Sequence, residues 1–348
     1  MRVYWPRSQG PAGELGACAV GKHPPTTAGS AAPDRPLSEV TLSVPASTAN
    51  LGPGFDSLGL ALALRNTLQV RTTPAGLRVL VEGEGRDSLP VDASNLIVRA
   101  MLKVYRLADR PIPGLELRAH NHIPLAAGLG SSAAAIVSGL GAADALLGLG
   151  LPRARLLQLA AEMEGHADNA AAALLGGLAL VLGGPQEPVA HPLPLALSQV
   201  VVVTPDLPLA TTDMRRALPR NVPLEEAVFN LGHTALLVEA LRSGDPQQLA
   251  QAMQDRLHQP YRARFIPGFE EARQAGLAAG AAGVALSGAG PSLLAFAFGR
   301  EAEVGQAMSQ AFRRHGLTAR WWALPIDHQC LLVEAAPLGW SAGLATDS

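Results

Sequence analysis

Apolar residues along the chain follow two periods, and the switches between them outline its elements. "SEVTLSVPAS" (38–47) puts Val40, Leu42, Val44 and Ala46 on one face, the alternation of a half-buried strand. "LALALRNTLQVRTT" (60–73) continues as extended structure, and "GLRVLVEGEG" (76–85) and "GLELRAHNHIP" (114–124) are further strands. Between these two, "SNLIVRAMLKVYRL" (94–107) carries apolar residues at helical spacing, with Ser94 as the expected N-cap. Helices are predicted from Ser131 to Leu147 and from Arg153 to Asn169, then a strand in "GGLALVLGG" (176–184). The proline-rich "PQEPVAHPLPLA" (185–196) breaks the pattern and is the expected domain boundary. Beyond it come a strand "QVVVVTP", a helical block over about 222–257, a helix over 267–280 and paired strands "GVALSG" and "SLLAFAF". A helix over 301–315 and strands near 318–324 and 328–334 follow, an order close to a split βαβ sandwich. The expected division is a leader over 1–38, domains over 39–190 and 191–335, and a tail over 336–348. The leader is rich in Pro, Gly and Ala without either period, so it is expected to be disordered. A misassigned translation start would look the same.

Charge narrows the partners. The 27 basic and 29 acidic residues form no long run of either sign, so neither a nucleic-acid footprint nor a polybasic membrane patch is present. The apolar stretch from Leu125 to Leu151 is long enough to span a bilayer, but Ser131, Ser132, Ser138, Asp144 and six glycines interrupt it. Two cysteines, Cys18 and Cys330, suit a reducing cytoplasm. The only lysines are Lys22 and Lys103, so an anion site must use arginine, backbone N–H groups or a metal ion.

One stretch has the composition for such a site. "PLAAGLGSSAAA" (124–135) is small and uncharged, follows a strand and opens a helix. Gly128, Gly130 and Ala133 satisfy the dinucleotide pattern G-x-G-x-x-A, but "GLG" stands where the ribose-binding acid belongs. A Walker A loop fails because no lysine is near. What remains is a helix N-terminus whose free N–H groups and dipole favour a phosphate, with Ser131 or Ser132 able to ligate Mg²⁺. Close helix packing through small residues explains the stretch equally well on its own.

"PASTANLGPGFDSLG" (45–59), this loop and "SGAGPS" (287–292) occur in that order, and together they resemble the three motifs of the GHMP kinases. The similarity extends over about 38–335. It implies an α/β (α+β) two-domain fold: an N-terminal α/β domain with a left-handed βαβ crossover, and a ferredoxin-like C-terminal domain. Within that family, "EGHADNAAAALLGG" (164–177), "LATTDMRRALP" (209–219) and "DRLHQPYRARFIPGF" (255–269) are similar to stretches of the homoserine-phosphorylating branch. Ala170, Ala171 and Ala172 depart from the usual V-A-P there, keeping small residues. The resemblance implies ATP-dependent phosphorylation of L-homoserine in threonine biosynthesis, with ATP and Mg²⁺ as cofactors, in the cytoplasm. It allows a homodimer without requiring one. Runners-up are another small-alcohol kinase of mevalonate type and a non-catalytic ligand-binding protein of the same fold.

Carried over residue by residue, the resemblance assigns the nucleotide to Pro124, Leu125, Ala126, Ala127, Gly128, Leu129, Gly130, Ser131, Ser132, Ala133 and Ala134, backed by Gly288 and Gly290. Arg215 and Arg262 match its carboxylate-binding arginines, while Arg216 and Arg264 are expected to face solvent. Asp56, assisted by Asn50, is the candidate for the substrate ammonium, although Asn and Asp in such a turn also bond their own backbone. Glu162, His166 and Asn169 fall at i, i+4 and i+7 of the predicted helix and share one face. Glu162 resembles the magnesium-binding glutamate, working with Ser132, with Glu164 the fallback. His166 and Asn169 then reach the substrate, and Thr211 steadies the phosphates. No strong base is required, because phosphoryl transfer depends mainly on positioning and charge neutralisation.

Overall fold

The computed structural model describes residues 37–334; the expected tail and all but the end of the expected leader lie outside it. β1 (Glu39–Ala49) and β2 (Leu58–Thr73) pair antiparallel, with Val40 opposite Val70 and Leu42 opposite Leu68 on the buried face. Their register shifts between Pro45 and Ala46, where Pro45 has no N–H to give to the ladder. β3 (Leu77–Gly83), α1 (Leu96–Leu107) and β4 (Gly114–Asn121) form the βαβ unit, with β3 and β4 parallel neighbours. α1 is capped by Asn95, not Ser94: the Asn95 side chain accepts from the Ile97 N–H at 3.0 Å, while Asp92 holds the Ser94 hydroxyl at 2.6 Å.

α2 (Ser131–Leu147) packs against both α1 and β1. Its buried Ala133, Ile136, Val137, Leu140 and Leu146 join the larger core. Each large apolar side chain so buried contributes about 1.5–3 kcal/mol. α3 (Arg153–Glu164) and α4 (Asp168–Leu175) follow, then β5 (Leu178–Leu182) and β6 (Val189–Leu193), which extend the first sheet from β2. β6 therefore runs through the expected boundary at 190/191. It tolerates Pro192 because it is an edge strand, where a missing N–H breaks no second ladder.

The second domain starts at β7 (Gln199–Pro205). It continues through α5 (Thr211–Arg216), α6 (Leu224–Ser243), α7 (Pro246–Ala252), α8 (Gln259–Ala263) and α9 (Phe269–Ala278). β8 (Gly283–Leu286), β9 (Leu293–Phe296), α10 (Glu301–Arg314) and β10 (Ala319–Pro325) complete it. The strand order β10-β7-β9-β8, antiparallel throughout, is the ferredoxin-like arrangement. β11 (Leu332–Glu334) then returns to the first sheet beside β1, so the chain crosses between the sheets twice. Among the described residues no helix is long and apolar enough to cross a membrane.

Candidate active site

The three motif loops meet through backbone hydrogen bonds and a few short polar side chains. Ser47 N–H donates to the Leu129 carbonyl and Gly288 N–H to that of Ala49, both at 3.1 Å. Ser287 Oγ bonds Thr48 Oγ1 and the Gly128 carbonyl, each at 2.8 Å. Asn50, itself at φ 73°, donates through Nδ2 to the Gly288 carbonyl at 2.8 Å and accepts the Asp56 N–H at 3.0 Å. Its amide ties the first loop to the third, which is the turn-stabilising use that its sequence position allowed.

Gly128 (φ 74°) and Gly130 (φ 68°) sit in the left-handed region. A Cβ on Gly128 would collide with the Ser287 carbonyl, and one on Gly130 with the Ser47 hydroxyl. Both glycines are thus demanded by contacts within the protein. Gly130 is also the residue before α2, and no side chain caps that helix. Its first-turn N–H groups are left for a ligand.

The loops enclose one side of a cavity of about 470 Å³. Leu125 through Ser132 line it, as do Asn50, Asp56, His166, Asn169, Thr211, Arg215, Arg262 and Gly288. Pro124, Ala133, Ala134 and Gly290 do not: Pro124 lines a different groove, Ala133 and Ala134 are buried in the core, and Gly290 packs toward Leu286 and Ile266. Asn66, Asn95, Arg99 and Asn121 line the cavity without any mark in the sequence. They come from the middle of β2, the end of β4 and the start of α1, which the fold brings together.

The expected continuous helix over 153–169 does not exist. α3 stops at Glu164 because Gly165 takes φ 85°, its N–H closing on the Ala161 carbonyl at 2.8 Å. The shared face assumed for Glu162, His166 and Asn169 is therefore absent. Glu162 is exposed, pairs with Lys103 at 2.8 Å and is not among the lining residues. The turn instead gathers Glu164, His166 and Asp168 at the cavity wall.

Glu164 accepts a hydrogen bond from Ser132 Oγ through Oε1, while its Oε2 is buried without a partner among the described residues. Burial pushes this carboxyl above the usual range, partly opposed by His166 and by the Ser132 bond. A hydroxyl beside a carboxylate with an orphaned oxygen is a donor set that fits a hard cation such as Mg²⁺. His166 Nδ1 lies 2.6 Å from Asp168 Oδ1. Burial works to neutralise both, but their hydrogen bond and mutual charge win, raising the imidazole and lowering the carboxyl. Asp168 lines the cavity and was not among the expected site residues. Its signal was the spacing His-x-Asp, placed just before a helix start.

Arg215 forks onto Asp56 at 3.0 and 2.7 Å, and its Nε is buried without a partner among the described residues. Arg262 is 2% exposed and has no ion pair among the described residues. Burial, with Arg215 nearby, brings its guanidinium down to about 10, so it remains a cation at neutral pH. Arg216 and Arg264 are exposed. Asn169 donates to Ser47 Oγ at 3.0 Å from the start of α4.

Two family models match the chain, the GHMP kinases N terminal domain over residues 95–177 and the GHMP kinases C terminal domain over 237–314. A homoserine kinase of Microchaete diplosiphon is 42% identical over 296 residues, 84% of this chain and 96% of the relative. That of Moorella thermoacetica is 42% identical over 300 residues, 86% and 97% of the two chains. The crystal structure of homoserine kinase from Cytophaga hutchinsonii superposes with a TM-score of 0.78 at 31% identity, covering 85% of this chain and 98% of that one. By this similarity and by its fold, the chain belongs to the homoserine kinases of the GHMP kinase family.

Proposed function

We propose that this protein transfers the γ-phosphoryl group of ATP to the hydroxyl of L-homoserine. The observation that carries the reading is one cavity holding both an uncapped helix N-terminus and a cluster of charged side chains suited to a zwitterion. The N–H groups of α2 and the small loop residues receive the phosphates. Arg262, a buried cation without an acidic partner, takes the substrate carboxylate. Asp56 takes the ammonium, exchanging its contact with Arg215 for one with the substrate, and Arg215 joins Arg262 on the carboxylate. Ser132 and Glu164 would hold Mg²⁺, which when bound neutralises charge on the phosphate oxygens. Glu164 is favoured over Glu162 because Glu162 is already paired with Lys103.

The hydroxyl oxygen attacks the γ-phosphorus and the bond to the bridging oxygen breaks, releasing ADP. No side chain needs to take the hydroxyl proton early, because the loose transition state leaves it on oxygen until late. His166 is a poor base here, since its partner Asp168 favours the imidazolium. It acts as a donor, with Nε2 free of protein partners at the cavity wall. A mevalonate-type reading is disfavoured, because Lys103, the one lysine among the described residues, does not line the cavity. ADP release measured with homoserine, mevalonate and galactose tests the proposal. Turnover is expected with homoserine alone, and a preference for either other alcohol overturns it.

A further inference from the structure

Arg262 is held from one side by a residue that does not line the cavity. His258 stands four positions earlier, as the residue just before α8, and is fully buried. Its Nε2 is 2.8 Å from the Gly52 carbonyl, an acceptor only, so Nε2 carries the proton. Nδ1 is then a lone pair, and it lies 3.2 Å from Arg262 Nη1. The same Nη1 reaches the Gly288 carbonyl at 3.2 Å, and Arg262 Nε reaches the Met214 carbonyl at 3.4 Å. Nη2 alone has no partner among the described residues, on a residue that lines the cavity.

The imidazole is fixed as firmly as the guanidinium. It stacks on Phe55 with centroids 5.2 Å apart and 24° between planes, and the Arg262 guanidinium lies 5.3 Å from the same ring. Asp255 holds the backbone beneath, accepting the N–H groups of His258 and Gln259 through Oδ2 at 3.0 and 2.7 Å. Burial keeps the ring neutral, which is the state that can accept from a cation.

We propose that His258 is a positioning residue, presenting Nδ1 to Arg262 so that the guanidinium is oriented for the substrate carboxylate. His258 thereby couples the first motif loop, through Gly52 and Phe55, to the arginine. The proposal rests on the reading of Arg262 as carboxylate ligand given above.

Three substitutions separate the two ring nitrogens. In His258→Asn the side-chain oxygen can stand where Nδ1 was, whereas His258→Gln extends a polar group only toward Nε2, and His258→Leu keeps bulk without either. Losing a hydrogen bond to a charged group is worth about tenfold or more in affinity. His258→Leu and His258→Gln should therefore raise the homoserine KM about tenfold or more, with the ATP KM within about twofold, while His258→Asn restores most of the loss. In an Arg262→Leu background, His258→Leu should add little further.

Equal KM increases in all three variants, or an ATP KM that rises in step, would mean that His258 only supports the fold, and would overturn the proposal. Should His258→Leu fail to fold, the contrast between Asn and Gln still decides. If Arg262→Leu alone leaves the homoserine KM unchanged, the carboxylate reading falls and this proposal with it. If Arg262→Leu raises it and no His258 variant does, only the positioning role is lost.

Discussion

Where the 122–130 loop enters α2, the cavity wall is backbone held against backbone. Where Asp56, Glu164, Arg215 and Arg262 meet, it is side chains drawn from four distant segments. The first region tolerates no added atom, since Gly128 abuts the Ser287 carbonyl and Gly130 the Ser47 hydroxyl. The second carries buried atoms with no partner among the described residues, Glu164 Oε2 and Arg215 Nε. On the proposed reading, the part of the cavity assigned to ATP is shaped by sterics, and the part assigned to homoserine by unsatisfied charge. Substitutions in the two regions should accordingly fail in different ways.

The largest effect is expected at Arg262. Arg262→Leu should raise the homoserine KM with little change in the ATP KM, because a desolvated charged contact is worth about 2–5 kcal/mol, roughly 30- to 5000-fold. Lysine should rescue only in part, as a point charge cannot reproduce the guanidinium fork. Equal weakening of both substrates would move this arginine to the phosphate side and erase the contrast between the regions.

Gly128→Ala should fail by the other route. Forcing a methyl group against the Ser287 carbonyl costs about 1–3 kcal/mol, and the positive φ adds strain. Thermal unfolding should show a lower Tm, and both KM values should drift together. A variant of native Tm that has lost only ATP affinity would show that the glycine serves the nucleotide directly. Gly130 is confounded in the same way, since a larger side chain there meets Ser47 and Asn169 before any ligand.

The same division explains what could be read from the sequence. The loop leading into α2 was legible because its constraint is local: the glycines, the serines and the start of α2 at Ser131 lie within a dozen residues. α2 itself has the expected bounds. The grouping of charged residues was accessible only through family resemblance, because Asp56 and Arg215 meet across 159 positions of chain. Local reasoning went astray at Gly165, where apolar periodicity continued past a residue whose left-handed backbone ends the helix. That single turn moved the metal candidate from Glu162 to Glu164 and hid Asp168. The expected boundary at 190/191 falls inside β6, since prolines that mark a linker are also admitted by an edge strand.

Glu164→Gln against Glu162→Gln sharpens that reassignment. Changes around a bound metal cost about 10- to 100-fold in its affinity, so Glu164→Gln should raise the half-saturating Mg²⁺ concentration within that range. Glu162→Gln should leave it unchanged, losing only a partly exposed pair worth about 0.2–1 kcal/mol. The reverse result would restore Glu162 as the ligand.

The smallest expected effect lies along the pH axis, at His166 and Asp168. The imidazole is raised above its ordinary 6.5, so the stability it gains from Asp168 is complete below that value and is lost as pH rises through the raised one. The carboxyl is lowered below its ordinary 3.8, so its share is complete above that value and is lost as pH falls through the lowered one. The pair therefore supports the fold most fully between about 3.8 and 6.5, fading on the alkaline side as His166 releases its proton. NMR titration of the His166 ring should place its midpoint above 6.5 in the native protein and lower in Asp168→Asn, where burial is opposed chiefly by Glu164. Unfolding free energy should fall with rising alkalinity in the native protein and less so in the variant. A native midpoint below 6.5 would make His166 a neutral imidazole at working pH, able to accept the substrate proton, and the base-free mechanism would have to be abandoned.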